Sequence, residues 1–558
     1  MLKSILFFLA CVFLLWYNAA KVRCCSMKTG LRIVIALCLI LSVLLSGCTI
    51  LDNLLRPDLV PYSQMEYSRP NMVEFAQVLE SSCQSALEET DLRKLEDAIW
   101  AFYDVYDAFY TNMNLALIAH CRDLTDIYWE EEYGYCAAHS ATVDAGLDQL
   151  YRHLAQSPLR HTLEGEDYFG ADYFDSFEGE SVYDAELNRM LNEEAELCTL
   201  YQSLSGQASA VTYYSEEYFD IYGSQMEEVF LQLVQLRQQI ASYLGYDSYP
   251  AFAYDFYHMR DYTPQQAVSY LADIRAELVP LYQKFSQSDF WNQELPLCTE
   301  EETFQYVKKM ARNMGGTIAS AFTDMSAAGV YDLSYGANKY AASFEIYLTT
   351  YYTPYIFLNP TGTAYDKLSF AHEFGHFCSD YTNLGGSMQG VDVSEVISQG
   401  MEYLSLIYAD APDELQALKM ADCLSIYVEQ AAFASFEHQV YQLSGEELTV
   451  EGIRSLYEQI CISFGMDAPH WDSRDYVCIP HFFESPMYII SYVLSNDAAF
   501  QIYEMELAQK GSGLACLENS MVSSSYYFMD FIEQTGIEDP FAAGRLSKVR
   551  QTLEALLQ

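Results

Sequence analysis

Basic side chains are scarce in this chain. Its 558 residues include 29 Lys and Arg against 78 Asp and Glu, a formal net charge of −49. A surface of that sign repels nucleic acid and anionic lipid headgroups, which excludes a nucleic-acid partner and any membrane attachment through surface charge. The same acidity concentrates cations around a cleft, so basic peptides are the expected preference of any peptide-binding site. Histidine is rarer still, at ten residues, which makes a close pair of them informative. The 15 cysteines contain no C-x-x-C pair, which excludes a metal knuckle or a dithiol redox motif. The ten between Cys83 and Cys516 fall within helical patterns and read as small buried apolar residues, not disulfides. Repeats of fixed length are missing, which argues against an adhesive or structural surface protein. With 51% hydrophobic and 15% aromatic residues the chain can bury a large core, and disorder is excluded.

Long apolar runs are also missing. Two short ones, Ile5 to Tyr17 and Ile33 to Leu45, each follow basic residues and are too short for membrane spans. They read as export signals, in a stretch of 47 residues with five basic and no acidic side chains. The second run follows Met27-Lys28-Thr29-Gly30-Leu31-Arg32 and ends in Leu45-Ser46-Gly47-Cys48, which resembles the lipobox of bacterial lipoproteins. That resemblance implies lipidation of Cys48, translation starting at Met27, and an extracytoplasmic chain held on the bacterial cell membrane by its lipid anchor only. A single double-hydrophobic anchor is the alternative. Residues 1–47 are then a leader and 48–65 a tether.

The rest is mainly helical by periodicity. Apolar residues recur every three or four positions over Asn71 to Glu89, Leu92 to Cys121, Asp184 to Leu204, Gln225 to Leu244, Pro264 to Phe285, Leu415 to Gln439 and Met487 to Gln509. An acidic, aromatic loop from Glu164 to Asp184, with Gly170 and Gly179, breaks the pattern. It separates a helical N-terminal domain, 66–200, from a second domain, 201–558. Two short strands are expected where Ala342 to Leu348 alternates and where Pro354 to Asn359 is compactly apolar.

Just beyond them stands His372-Glu373-Phe374-Gly375-His376, inside a predicted helix from Tyr365 to Tyr381. Imidazoles four residues apart stack on one helix face and can share one metal ion. Zinc takes neutral nitrogen ligands in a tetrahedral arrangement with one position left for water, whose proton the adjacent Glu373 can accept. That pattern is the chemistry of a zinc peptidase with one ion. A third ligand is expected on a following helix, and Glu395 in the segment Asp392 to Glu402 offers it. The same spacing also fits Asp392 as a helix cap with Glu395 closing a capping box. Asp392, Gln399 and Glu402 are candidates to orient the histidines, with a solvated helix face as the alternative. Cys378 reads as a buried thiol, not a further ligand. A strand beside the metal could pair with a substrate backbone, or simply wall the core.

These residues resemble the oligoendopeptidase F and thimet oligopeptidase family of zinc metallopeptidases. The resemblance is carried by Tyr355 to Asn359, Gly362, Asp366, the HEFGH motif and the Asp392 to Glu402 segment. It extends over Leu233 to Tyr249, over Ile479-Pro480-His481-Phe482-Phe483 with Pro486, Tyr488 and Tyr492, and over the tail from Phe528 to Leu557. It spans about residues 225–557, whereas 66–200 match only in being helical. It implies a multi-helix, two-lobed ellipsoid with a deep channel, zinc on its floor, a small sheet beside the zinc helix, and short peptides as substrates. It further implies His372, His376 and Glu395 as ligands, Glu373 as general base, and His481 with Tyr488 or Tyr492 on the opposite wall as oxyanion donors. Ser379 stands where members of that family usually carry another His, and the connection from His376 to Glu395 is short. Gly385, Gly386 and Gly390 in that connection suggest a mobile segment. The reading is an endopeptidase cutting oligopeptides internally. A carboxypeptidase or dipeptidyl carboxypeptidase on a similar scaffold is one alternative, and a catalytically inactive peptide-binding lipoprotein is another.

Overall fold

The computed structural model describes residues 58–557 except 166–167, 180, 182, 209–214, 287–294, 384–388, 467–470 and 524. Cys48 and its leader lie outside the described residues, as do Gly385 and Gly386. Helices dominate, and a three-stranded sheet is set among them in the order β1 (Tyr331–Asp332), β3 (Thr353–Leu358), β2 (Ser343–Leu348). No helix among the described residues is long and apolar enough to cross a membrane.

Most expected helices form within a few residues of their predicted ends, and the departures have local causes. The stretch from Pro264 to Phe285 is two helices, Pro264–Glu277 and Val279–Ser286. Pro280 has no N–H to give to the preceding turn, so the chain breaks at Leu278. A capping box of Thr263 and Gln266 starts the first of them. The stretch from Leu415 to Gln439 is also two helices, Asp413–Ser425 and Ala431–Val440, joined by a π-helical turn at Ile426–Gln430. The expected helix from Met487 starts only at Ile489, because Met487 has φ of +64° and cannot belong to a right-handed helix.

The periodicity does not predict the 29-residue helix Ile127–Ala155. Its apolar positions are interrupted by Glu130, Glu131, Glu132, Gly134 and Gly146, so no single stripe stands out. In the fold it packs with Met72–Glu88 and Leu92–Arg122, and their apolar residues, with Phe174 from the turn Tyr173–Phe177, form a separate cluster around Phe75, Phe102, Phe109 and Leu150. A larger cluster takes in the end of Leu92–Arg122 and the helix Ala185–Ala208, then runs through the helices from Ser224–Tyr243 onward and around the sheet. Among the described residues the ten cysteines from Cys83 to Cys516 form no disulfide.

The sheet and two helices build the centre of the molecule. β3 is buried along its whole length, pairs parallel with β1, and pairs antiparallel with β2 in a register that sets Ser343 opposite Leu358. Leaving β3, the chain turns through Gly362, whose φ is +78°, and the Asp366 carboxylate gathers the N–H groups of Thr361 and Gly362 at 2.8 and 2.9 Å. That turn launches the motif helix, Asp366–Asn383. A second helix, Val391–Tyr408, packs along it and in turn against a third, Ile489–Ala508. The first two touch backbone to backbone at Gly375, where an added Cβ would stand 2.7 Å from Ser398 Cα and 3.1 Å from Ile397 O. Gly390, at the head of the second helix, is held as closely, since its Cβ would meet Tyr526 O at 2.6 Å.

Gly375→Ala therefore cannot be accommodated without separating the two helices. We expect it to destabilise the protein by about 1–3 kcal/mol, the usual range for overpacking, measured by denaturant unfolding of Gly375→Ala against the parent chain.

Candidate metal centre

The two helices that meet at Gly375 bring three side chains that could hold a metal ion to one point. His372, His376 and Glu395 offer one ligand atom each, all within 4.8 Å of one another. Glu395 Oε2 lies 3.3 Å from His372 Nε2, and Glu395 Oε1 lies 3.8 Å from His376 Nε2. The opposite nitrogens of both rings are already engaged. His372 Nδ1 donates to Glu402 Oε1 at 2.7 Å, and His376 Nδ1 lies 2.9 Å from Ser394 Oγ. Both rings thus turn Nε2 toward the shared point, which is the orientation a zinc-type ligand needs. Two imidazole nitrogens and a carboxylate fit a divalent ion of zinc type with one position open.

Electrostatics follow from burial. Burial and the neighbouring charge on His372 bring His376 down to about 4, so it is neutral near pH 7. Burial works against the Glu395 carboxylate, but the charge and hydrogen bond of His372 and the phenol of Tyr488 bring it to about 2. Burial lifts the Glu373 carboxyl to about 7, a range suited to taking and returning a proton. Ser343, on β2, donates to Glu373 Oε1 at 2.7 Å and fixes that group against the sheet.

The expected residues sort themselves by contact. Glu402 bonds His372, and it is itself held by fully buried Lys419, whose Nζ lies 2.7 Å from Glu402 Oε2 and 2.8 Å from Asp422 Oδ2. Asp392 does not reach either histidine; it accepts from Tyr262 at 3.1 Å and Arg260 at 3.3 Å. It is no cap either, since the helix is capped at Gly390 and Asp392 sits in its first turn. Gln399 turns away as well, donating to Tyr492 O and Ser495 Oγ. On the facing wall the Tyr488 phenol donates to Glu395 Oε1 at 2.6 Å, whereas the Tyr492 phenol lies 2.9 Å from His481 Nε2. Tyr488 therefore stands at the ligand carboxylate and Tyr492 is paired with His481. Cys378 is buried. Ser343, Ser394 and Lys419 were not legible in the sequence, because each reaches the site from its own element by packing and not by motif spacing.

A cavity of about 400 Å³ lies beside this wall, lined by Asp144, Glu194, His258, Glu484 and Tyr488 among others. It joins the helices Ile127–Ala155 and Ala185–Ala208 to the turn before Tyr488.

The Peptidase M3 N-terminal domain family matches residues 62–181, the stretch where the sequence pattern offered only helicity. Comparison with curated proteins gives no significant match. The fold is that of solved oligoendopeptidase F structures. One, solved at 3.1 Å, has 20% identity and a TM-score of 0.79, covering 89% of this chain and 98% of its own. PZ peptidase A with an inhibitor has 20% identity and a TM-score of 0.78, covering 89% and 99%. An oligoendopeptidase F from Bacillus anthracis has 20% identity and a TM-score of 0.76, covering 90% and 98%. A Pyrococcus furiosus carboxypeptidase is more distant, with 13% identity and a TM-score of 0.52 over 86% of this chain and 99% of its own.

Lys419 faces two carboxylates with no solvent to share the work. Lys419→Met is expected to destabilise the fold by about 3–5 kcal/mol, as when one partner of a buried ion pair is removed. Denaturant unfolding checks this, and adding Glu402→Gln to the same chain should recover part of the loss.

Proposed function

With a Peptidase M3 N-terminal domain and the oligoendopeptidase F fold as premise, we propose that this chain is a zinc-dependent endopeptidase that hydrolyses internal bonds of short peptides. The observation that carries the proposal is the meeting of His372, His376 and Glu395 at one point, with the Glu373 carboxylate beside them on the same helix. A bound zinc ion would supply Lewis-acid activation of water and of the scissile carbonyl.

The protein's own groups do the rest. Glu373 takes a proton from the attacking water and returns it to the leaving amine, its orientation held by Ser343. Glu402 and Ser394 hold the two imidazoles so that their Nε2 atoms stay directed at the ion. β2 has a single strand neighbour among the described residues, so its free edge can pair with a peptide backbone and bring the carbonyl in without reading side chains. Tyr488 is the better placed of the two phenols to donate to the oxyanion that forms, while Tyr492 and His481 support it as a pair. Asp144 and Glu484 border the adjoining cavity, where Glu194 is already paired with Arg237, and together with the chain's overall acidity they favour basic side chains on the peptide. Attachment to the membrane through a lipid on Cys48 belongs to the same proposal.

The likeness to a carboxypeptidase structure keeps removal of C-terminal residues as a second reading. Mass spectrometry of products from a peptide library separates the two: internal fragments support the endopeptidase, and loss of C-terminal residues alone would replace it.

Two outcomes are expected of the purified chain. Elemental analysis should find one zinc per chain in both parent and Glu373→Gln, with hydrolysis of a quenched oligopeptide reduced by about 10² to 10⁴ in the variant, the range for losing a general base. Full activity in Glu373→Gln would refute the assigned base. Lys-rich peptides should be turned over faster than Glu-rich ones at low salt, and the difference should shrink as salt screens the acidic cavity.

A further inference from the structure

Met487 lies directly before Tyr488 and is almost fully buried, yet its φ of +64° falls in the left-handed region that a side chain of its size avoids. Three side chains from elsewhere in the chain hold the backbone there. The Met487 N–H donates to Glu437 Oε1 at 2.6 Å. The Met487 carbonyl accepts from Arg260 Nη1 at 2.9 Å. One residue earlier, His258 Nε2 lies 3.0 Å from the Pro486 carbonyl. The Arg260 side chain is completely buried and also donates to Ser491 Oγ at 2.8 Å and to Asp392 Oδ2 at 3.3 Å. Glu437 is 2% exposed and projects from the helix Ala431–Val440.

Without these partners Met487 would relax toward an ordinary extended or right-handed conformation. That relaxation rotates the chain at the residue carrying the phenol and takes it off Glu395. Strained backbone persists only where its surroundings over-determine it, and here they do so one residue from the proposed oxyanion donor.

We propose that Glu437 and Arg260 are positioning residues that clamp Met487 in its left-handed conformation and so keep the Tyr488 phenol at the metal centre. This rests on the reading of Tyr488 as a donor to the reacting carbonyl. Neither residue touches substrate; both act through the backbone that precedes Tyr488. Burial raises the Glu437 carboxyl to about 8, so near pH 7 it is largely protonated and an amide can replace it as acceptor with the same shape.

The test uses the full zinc-loaded chain and four variants: Glu437→Leu, Glu437→Gln, Tyr488→Phe and the double variant Glu437→Leu with Tyr488→Phe. Glu437→Leu should lower kcat by about ten- to a hundredfold, as expected for a displaced catalytic group, with KM little changed. Glu437→Gln should stay near the parent. In the double variant kcat should be no lower than in Tyr488→Phe alone, because the clamp works through that phenol. Independently of activity, amide hydrogen exchange over residues 485–492 should show the Met487 N–H protected in the parent and in Glu437→Gln but released in Glu437→Leu.

Unchanged kcat in Glu437→Leu, losses that add to those of Tyr488→Phe, or unchanged exchange would each overturn the clamp. If Glu437→Leu does not fold, Arg260→Lys, which keeps the charge by Asp392 but cannot span all three acceptors, is expected to give the same pattern and is judged by the same outcomes. Should Tyr488→Phe leave kcat untouched, the role given to that phenol fails, and the exchange result still decides whether the clamp exists.

Discussion

Everything at the centre of this molecule depends on burying the Glu395 carboxylate between two imidazoles. That arrangement requires two helices to approach until their backbones touch, and Gly375 is the residue that permits it. It also requires carboxylates to be desolvated together, since Glu373 and Glu402 stand in the same buried region. A buried charge without compensation costs several kcal/mol, so the fold must bring cations inward.

This is where the few basic residues go. Arg237, Arg260, Lys339, Lys419 and Arg545 each have side chains no more than 4% exposed, and each is paired with at least one acid. Arg545 meets Asp497 beneath the Ile489–Ala508 helix, and Lys419 meets Glu402 behind His372. The surplus of acid that reads from composition as a surface property is thus only half of the distribution. A chain poor in Lys and Arg places several of them where a carboxylate would otherwise be stranded.

Much of the site was legible because it is local. The spacing of His372 and His376 needs only a helix, and of the two strands ahead of it one alternates and the other is compactly apolar, clearly enough for both to be read. Glu395 follows from the need for a third ligand, although the same residues also fit a capping box until Gly390 is seen to cap the helix. What could not be read depends on distant segments meeting. Ser343 and Lys419 belong to other elements, and nothing in their own sequence marks them. Ser394, next to Glu395, gives no signal until the two helices are packed. The helix Ile127–Ala155 escaped for a different reason: it contacts several neighbours at once, so its apolar residues are spread around its circumference and no single face stands out. The same region is where the Peptidase M3 N-terminal domain matches.

Asp392 shows how a residue expected in one role comes to serve another. It was a candidate to orient the histidines, yet it points away from them to Arg260 and Tyr262. Arg260 in turn grips Met487 and Ser491, which flank Tyr488. Asp392 sits three residues before Glu395 on the same helix, so one ion pair links the floor that holds the ligands to the wall that carries the phenol. Floor and wall come from segments about a hundred residues apart, and neither fixes the other through local sequence. A connection of this kind ties the helix carrying Glu395 to the segment carrying Tyr488 through the Arg260 side chain. That the connection is an ion pair and not an apolar contact also gives it direction, because the guanidinium can satisfy the carboxylate, a backbone carbonyl and a hydroxyl only in one orientation.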